Sequence, residues 1–173
     1  VMGGSLGAHA LNVHVCRHLD ALRAAGIEVR HQTGVRDEAV TREAYAAAGY
    51  DPACVSAFID DMASAYAWAD LVLCRAGATT VAELCAAGLP SVLVPFPYAV
   101  HDHQTRNAQA LVAEGAALML PEGRMESDGL MAQVTDLLQD TGRLRTMAAA
   151  ASGCARVRAA ELVAAELETV CAR

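Results

Sequence analysis

Residues 71–94 read LVLCRAGATTVAELCAAGLPSVLV, and the reading of this stretch decides the fold. Leu71 to Cys74 is an apolar run of strand length, and Arg75 to Thr79 is a turn containing Gly77. A helical pattern then runs through Ala87 and is stopped by Gly88 and Pro90. Ser91 to Val94 forms a second apolar run, cut off by Pro95-Phe96-Pro97. Two strands joined by one helix of this length make a right-handed crossover between parallel neighbours.

The alternation continues in both directions. Upstream, Val1-Met2 is the stub of a strand that enters the glycine turn Gly3 to Gly7. A helical pattern follows with Leu11, Val15, Leu19 and Leu22 on one face, ending at Gly26. Ile27 to His31 reads as a strand, followed by the polar HQTG segment and a helix from about Glu38 to Ala48 that stops at Gly49. Val55 to Ile59 is a further strand, and Asp60-Asp61 opens a short helix with Met62, Tyr66 and Ala69 on one face. Downstream, a polar loop from Tyr98 to His103 leads to a helix from Gln104 to Ala113 and a strand from Ala117 to Leu120. Helices near Glu126 to Leu138, Arg143 to Ala151 and Ala159 to Cys171 close the chain. The fold class expected is α/β, a Rossmann-like doubly wound parallel sheet with helices on both faces. The chain opens on the end of a strand, so it reads as part of a longer protein.

Composition narrows the function. The 173 residues are 54% hydrophobic, much of it Ala, with 4% aromatic residues, which fits one domain of closely packed helices. The formal charge is -7 and no run of Lys or Arg occurs, so nucleic acid is not an expected partner. No apolar stretch reaches the roughly 20 residues that span a bilayer, and no signal peptide precedes the first helix, so a cytoplasmic domain is expected. Cys16, Cys54, Cys74, Cys85, Cys154 and Cys171 form no C-x-x-C pair and are expected as free thiols.

In an open parallel sheet, ligands bind beyond the carboxyl ends of the strands. Three loops there carry chemistry: Gly3-Gly4-Ser5-Leu6-Gly7, Arg75 to Thr80, and His101-Asp102-His103-Gln104 leading to Asn107. The first two precede helices whose unpaired N–H groups and positive dipole end suit a diphosphate, although either is also an ordinary strand-to-helix turn. GGSLG matches neither the dinucleotide fingerprint nor the P-loop. Thr80 and Glu83 have capping-box spacing, with Thr80 as the cap. The alternative is that Glu83 accepts hydrogen bonds from ribose hydroxyls, and spacing alone favours the cap. His14 and His18 have the i, i+4 spacing of metal ligands but no following Glu in an H-E-x-x-H pattern, so they read as partly buried helix residues. His101 and His103 suit either ligand contact or simple exposure on a loop.

The elements GGSLGAHALN, HQTG, FIDDMASAYAWADLVLCRAGATTVAELCAAGLPSVLVPFPYA and DHQTRNA resemble, in that order, the C-terminal domain of the MurG family, the UDP-GlcNAc:lipid I N-acetylglucosaminyltransferases. The likeness runs from Val1 to about Pro121, and its FIDDM, Y-A-W-A-D and G-A-T-T-V-A-E elements are highly specific in combination. It implies that residues 1–173 are the donor-binding C-terminal half of a GT-B glycosyltransferase, facing an amino-terminal acceptor domain that also carries the general base and the membrane contact. The product would be lipid II, for peptidoglycan synthesis, made at the inner face of the cell membrane.

By the same resemblance, Ser5 would contact the diphosphate and Ile59 would pair with uracil through its main chain, with Phe58 beside the base. Ala78, Thr79, Thr80, Val81 and Ala82 would line the diphosphate and sugar, and Glu83 would bind the ribose hydroxyls. Gln104 would contact the GlcNAc moiety, flanked by His103 where some relatives carry Gln, with Asn107 supporting the loop. The resemblance turns the reading of Glu83 from cap to ribose ligand. No metal or other cofactor is expected for donor binding. A dolichol-linked GlcNAc transferase subunit and a UDP-GlcNAc epimerase are disfavoured by the match from FIDDM to Glu83. A UDP-sugar-binding module with no catalysis of its own is the other reading.

Overall fold

The computed structural model describes residues 1–4 and 8–156, together with residues 161, 163, 164, 167 and 169. Of the expected helix from Ala159 to Cys171, the described residues 161, 163, 164, 167 and 169 are helical. The thiol of Cys171 lies outside the described residues, while Cys16, Cys54, Cys74, Cys85 and Cys154 are free thiols.

Five short strands form the sheet: β1 (His31–Gln32), β2 (Val55–Ser56), β3 (Val72–Cys74), β4 (Ser91–Leu93) and β5 (Ala117–Met119). All pairings are parallel, with β1 beside β2 and β4 between β3 and β5. Met2 joins the two groups by bridging to Gln32 on one side and Cys74 on the other. Across the sheet the order is therefore β2, β1, Met2, β3, β4, β5. Counting the Met2 segment as the first strand, this is the 3-2-1-4-5-6 order of the doubly wound fold, which reverses direction beside Met2.

Alternation along the strands feeds two cores. Leu73, Val92, Val94 and Leu120 join an apolar cluster with Leu11, Val15, Leu19, Leu22, Tyr45, Leu130 and Leu137. Val72, Cys74, Leu93 and Ala117 point the other way, to Tyr66, Leu84, Leu89, Ala108, Leu111 and Ala151. The first face is covered by α1 (His9–Cys16), α2 (Leu19–Ala24), α3 (Glu38–Ala47) and α7 (Leu130–Gln139). The second is covered by α4 (Met62–Trp68), α5 (Ala78–Ala87), α6 (His103–Ala113) and α8 (Thr141–Cys154). Each fully buried Leu or Val contributes about 1.5–3 kcal/mol, so both faces of the sheet must be covered.

Three expectations are corrected. The first helix is two, although Leu11, Val15, Leu19 and Leu22 are all buried as the pattern demanded. His18 Nδ1 takes the carbonyl oxygen of His14 at 2.8 Å, and the His18 main-chain N–H turns to Val15 O at 2.9 Å. A side chain has replaced a rung of the helix, and the axis breaks there. The second strand lies not over Ile27 to His31 but at His31–Gln32, where two polar side chains are buried because both are fully hydrogen-bonded. The third spans Val55–Ser56 rather than extending to Ile59.

The helix that decided the fold ends as its sequence requires. Gly88 is left-handed with φ 65°, Leu89 N–H reaches Leu84 O at 3.0 Å, and Gly88 N–H reaches Cys85 O at 3.1 Å. This pair of bonds is the Schellman arrangement, sealed by the burial of Leu84 and Leu89 together.

Candidate functional site

The reversal of strand order beside Met2 sets a crevice between two turns: the one that follows Met2 and the one that follows β3. Gln32 organises the first. Its Oε1 accepts the N–H groups of Gly3 at 3.1 Å and Gly4 at 3.0 Å, and its Nε2 donates to Gly4 O at 3.1 Å and Ala57 O at 2.7 Å. One side chain therefore clamps the glycine turn to the residue before Phe58 and Ile59. Ser5 itself lies outside the described residues. Phe58 is 52% exposed and Ile59 half-buried, both beyond the carboxyl end of β2.

Behind this clamp runs a buried polar chain. Asp37 accepts from His9 Nδ1 at 3.0 Å and from Asn12 Nδ2 at 2.9 Å. Asn12 Oδ1 meets His31 Nε2 at 3.0 Å, and His31 Nδ1 meets the Tyr45 hydroxyl at 3.0 Å. Burial pushes the Asp37 carboxyl up, but the hydrogen bonds from Asn12 and His9 and the neighbouring positive charges together hold it below its ordinary value. Burial keeps His31 well below the usual imidazole range. The chain fixes α1, the helix that follows the glycine turn, against β1 and α3.

The second turn leads into α5. Its N-cap is Gly77, without a side-chain cap bond, so Thr80 does not cap the helix and the capping-box reading is overturned. The extended Gly77 already ends the strand, which leaves Thr80 in the first turn of the helix. Ala78 and Thr79 are exposed there, Thr80 and Val81 are half-buried, and Ala82 and Glu83 are exposed. The Glu83 carboxylate instead accepts the Tyr66 hydroxyl at 2.8 Å, which ties α5 to α4. Burial first, and then the bond to Glu83, raise Tyr66 so that it stays a protonated donor.

The third loop closes the crevice on the β4 side. Gln104 Oε1 accepts the main-chain N–H of Phe96 at 2.9 Å, and Asn107 Nδ2 donates to Ala76 O at 3.0 Å, one residue before the α5 cap. His103 is exposed in the first turn of α6. His101 and Asp102 just before it both have φ 53°. Two successive non-glycine residues in left-handed backbone cost on the order of 1–3 kcal/mol each, so this loop is held in a strained form. Arg75 donates to Val94 O at 3.1 Å, pairs with Glu122 and lies over the Phe96 ring at 5.5 Å. It binds the ends of β3 and β4 to the turn after β5.

Sequence reasoning missed Gln32, Tyr66, Arg75 and Glu122 as organisers of the crevice. Gln32 falls in the polar HQTG segment, and nothing local in the sequence marks it as buried. A cavity of about 710 Å³ lined by residues that include Tyr50, Asp51, Ile59, Asp61 and Trp68 contains neither glycine turn. This cavity touches the residues assigned to the crevice only at Ile59.

A 3-2-1-4-5-6 parallel sheet, with a glycine turn and a helix N-terminus flanking the reversal point, defines a domain of the doubly wound class, in which ligands bind at that point. The chain belongs to the glycosyltransferase family 28 C-terminal domain, whose profile matches residues 1–163. It is 55% identical over 163 residues to the UDP-N-acetylglucosamine–N-acetylmuramyl-(pentapeptide) pyrophosphoryl-undecaprenol N-acetylglucosamine transferase of Nitratidesulfovibrio vulgaris strain Hildenborough, covering 94% of this chain and 45% of that protein. The Lawsonia intracellularis transferase of the same name is 52% identical over 167 residues, covering 96% and 46%. The crystal structure of Acinetobacter baumannii MurG superposes with a TM-score of 0.81 at 37% identity, covering 97% of this chain and 50% of that one. The chain thus spans about half the length of the relatives it matches.

Proposed function

We propose that residues 1–173 are the donor-binding domain of an inverting glycosyltransferase that moves GlcNAc from UDP-GlcNAc to lipid I, giving lipid II for peptidoglycan. The observation that carries this reading is the tying of distant segments into one crevice. Gln32 joins the glycine turn to the Phe58–Ile59 loop, and Tyr66–Glu83 joins that loop's helix to the N-terminus of α5. The names of the relatives supply the sugar and the acceptor.

In this reading Ile59 offers one main-chain donor and one acceptor to uracil, Phe58 packs beside the base, and Glu83 accepts the ribose hydroxyls. Ser5 and the first turn of α5, from Ala78 to Ala82, hold the diphosphate. As the glycosidic bond breaks, negative charge grows on UDP, and the N–H groups of that turn stabilise it without a cation. Gln104 contacts GlcNAc and is itself set by Phe96, while His103 lies at the rim and Asn107 holds the turn through Ala76. The base that deprotonates the acceptor hydroxyl comes from the acceptor domain, which also meets the membrane at its cytoplasmic face. No helix among the described residues is long and apolar enough to cross a membrane.

Calorimetry with UDP-GlcNAc in EDTA, paired with a transfer assay on a lipid I analogue, tests the proposal. Binding that survives EDTA, without turnover by this chain alone, is the expected result. Transfer by this chain alone, or binding abolished by EDTA, contradicts it.

A further inference from the structure

Away from the donor crevice, three side chains with metal-ligating atoms converge. His14 on α1, His18 at the break before α2, and Glu126 in the segment between β5 and α7 each bring one such atom to within 4.8 Å of the others. The His14 and His18 rings lie 4.6 Å apart between centroids, and His14 Nδ1 is 3.4 Å from Glu126 Oε2. The break in the first helix creates this approach. His18 caps the His14 carbonyl instead of continuing the helix, and its ring folds back beside that of His14.

The hydrogen bonding around the two rings leaves nitrogen atoms open to a metal. The His18 Nδ1–H is committed to His14 O at 2.8 Å, which fixes the tautomer and leaves the lone pair on Nε2. A backbone carbonyl holding the non-ligating nitrogen is the usual outer partner of a ligating histidine. His14 is 5% exposed, and its Nε2 has no hydrogen-bond partner. Its Nδ1 contact with Glu126 is long, so no strong hydrogen bond competes at either nitrogen. Two imidazoles face one carboxylate.

We infer that His14, His18 and Glu126 form a site for a divalent transition-metal ion of the zinc class, separate from the donor crevice. Two imidazoles and one carboxylate at this separation suit Zn2+ with water as the fourth ligand, rather than Mg2+ or Ca2+, which prefer oxygen donors. No residue assigned to the donor supplies a ligand. The ion would pin α1 to the segment after β5, which four residues earlier carries Glu122, the partner of Arg75. Its role is structural, and it extends beyond the donor-binding reading without depending on it.

The test uses the full chain, stripped with EDTA and dialysed, titrated with ZnCl2 by calorimetry and with Co2+ by visible spectroscopy. One equivalent should bind, with a rise in Tm at saturation and a Co2+ spectrum lacking a thiolate charge-transfer band. His18→Ala and Glu126→Gln, both partly or largely exposed and expected to fold, should each lower affinity at least about tenfold and leave UDP affinity unchanged. Absence of saturable binding overturns the site. So does binding that survives both substitutions, or a thiolate band that moves the metal to a cysteine.

Discussion

The Tyr66 hydroxyl donates a 2.8 Å hydrogen bond to Glu83, joining the helix after the Phe58–Ile59 loop to the helix after Gly77. Tyr66 is buried, whereas Glu83 is exposed. The tyrosine therefore orients a carboxylate that water would otherwise leave free to rotate. Tyr66→Phe removes the bond and keeps the ring in its core. UDP affinity should fall about fivefold, the equivalent of about 1 kcal/mol, with a stability loss no larger than that. Calorimetry and thermal melts on the variant check it, and unchanged affinity would separate Tyr66 from the site.

Gln32 should be the more sensitive position. Gln32→Leu keeps the volume but strands the Gly4 N–H and the Ala57 carbonyl. Gly4 is exposed and Ala57 half-buried, so water takes up part of the loss. A fully buried group left without its partner costs about 1–3 kcal/mol, so stability should drop by about 1 kcal/mol and UDP affinity by about tenfold. Gln32→Glu should not rescue either, because a carboxylate accepts from Gly3 and Gly4 but repels the carbonyls of Gly4 and Ala57. Recovery in the Glu variant would show that the clamp to Ala57 is dispensable.

The polar chain behind the clamp sets a pH dependence with two windows. His31 and His14 are held below the ordinary imidazole value by burial, so the unfolded chain binds their protons first. Stability should decline as pH falls below about 6.5, the unfolded value. Asp37 is also depressed, so its contribution is complete above about pH 4 and is lost only as pH falls through its lower folded value. Urea melts from about pH 8 down to about pH 5 should show the first decline, and a flat profile would contradict the buried neutral imidazoles.

Gly88 tests the helix end that defined the fold. With φ 65° and an added Cβ 2.4 Å from Ser152 Oγ, Gly88→Ala should destabilise by about 1–2 kcal/mol from the left-handed backbone. The Ser152 hydroxyl can rotate away, so adding Ser152→Ala should recover little of the loss in a denaturant titration. Full recovery would put the cost in the clash instead.

The fold was legible because its signals are local. Alternating apolar runs, the Gly88-Leu89-Pro90 stop and the buried face of Leu11, Val15, Leu19 and Leu22 depend on neighbours in sequence. The break at His18 was hidden, since it arises from a side chain taking the His14 carbonyl and leaves the apolar period intact. The cap was misread for a related reason: Thr80 and Glu83 have the right spacing, but the extended Gly77 ends the strand earlier and Tyr66 captures the carboxylate. Gln32, Arg75 and Glu122 escaped because each acts between strands far apart in the chain. The motif residues proposed for the site come from family resemblance, which records such long-range arrangements without explaining them.

In the proposed donor site, Glu83 reads the ribose of a uridine nucleotide bound at α5. A charge-assisted hydrogen bond is worth about 1.5–3 kcal/mol, and this sets the scale of a two-by-two calorimetric set. UDP and 2'-deoxy-UDP are each titrated into the wild-type chain and into Glu83→Gln. The wild type should bind UDP about tenfold or more tightly than the variant does and prefer UDP to 2'-deoxy-UDP, while the variant should bind the two alike. Equal UDP affinity in wild type and variant would contradict that role for Glu83.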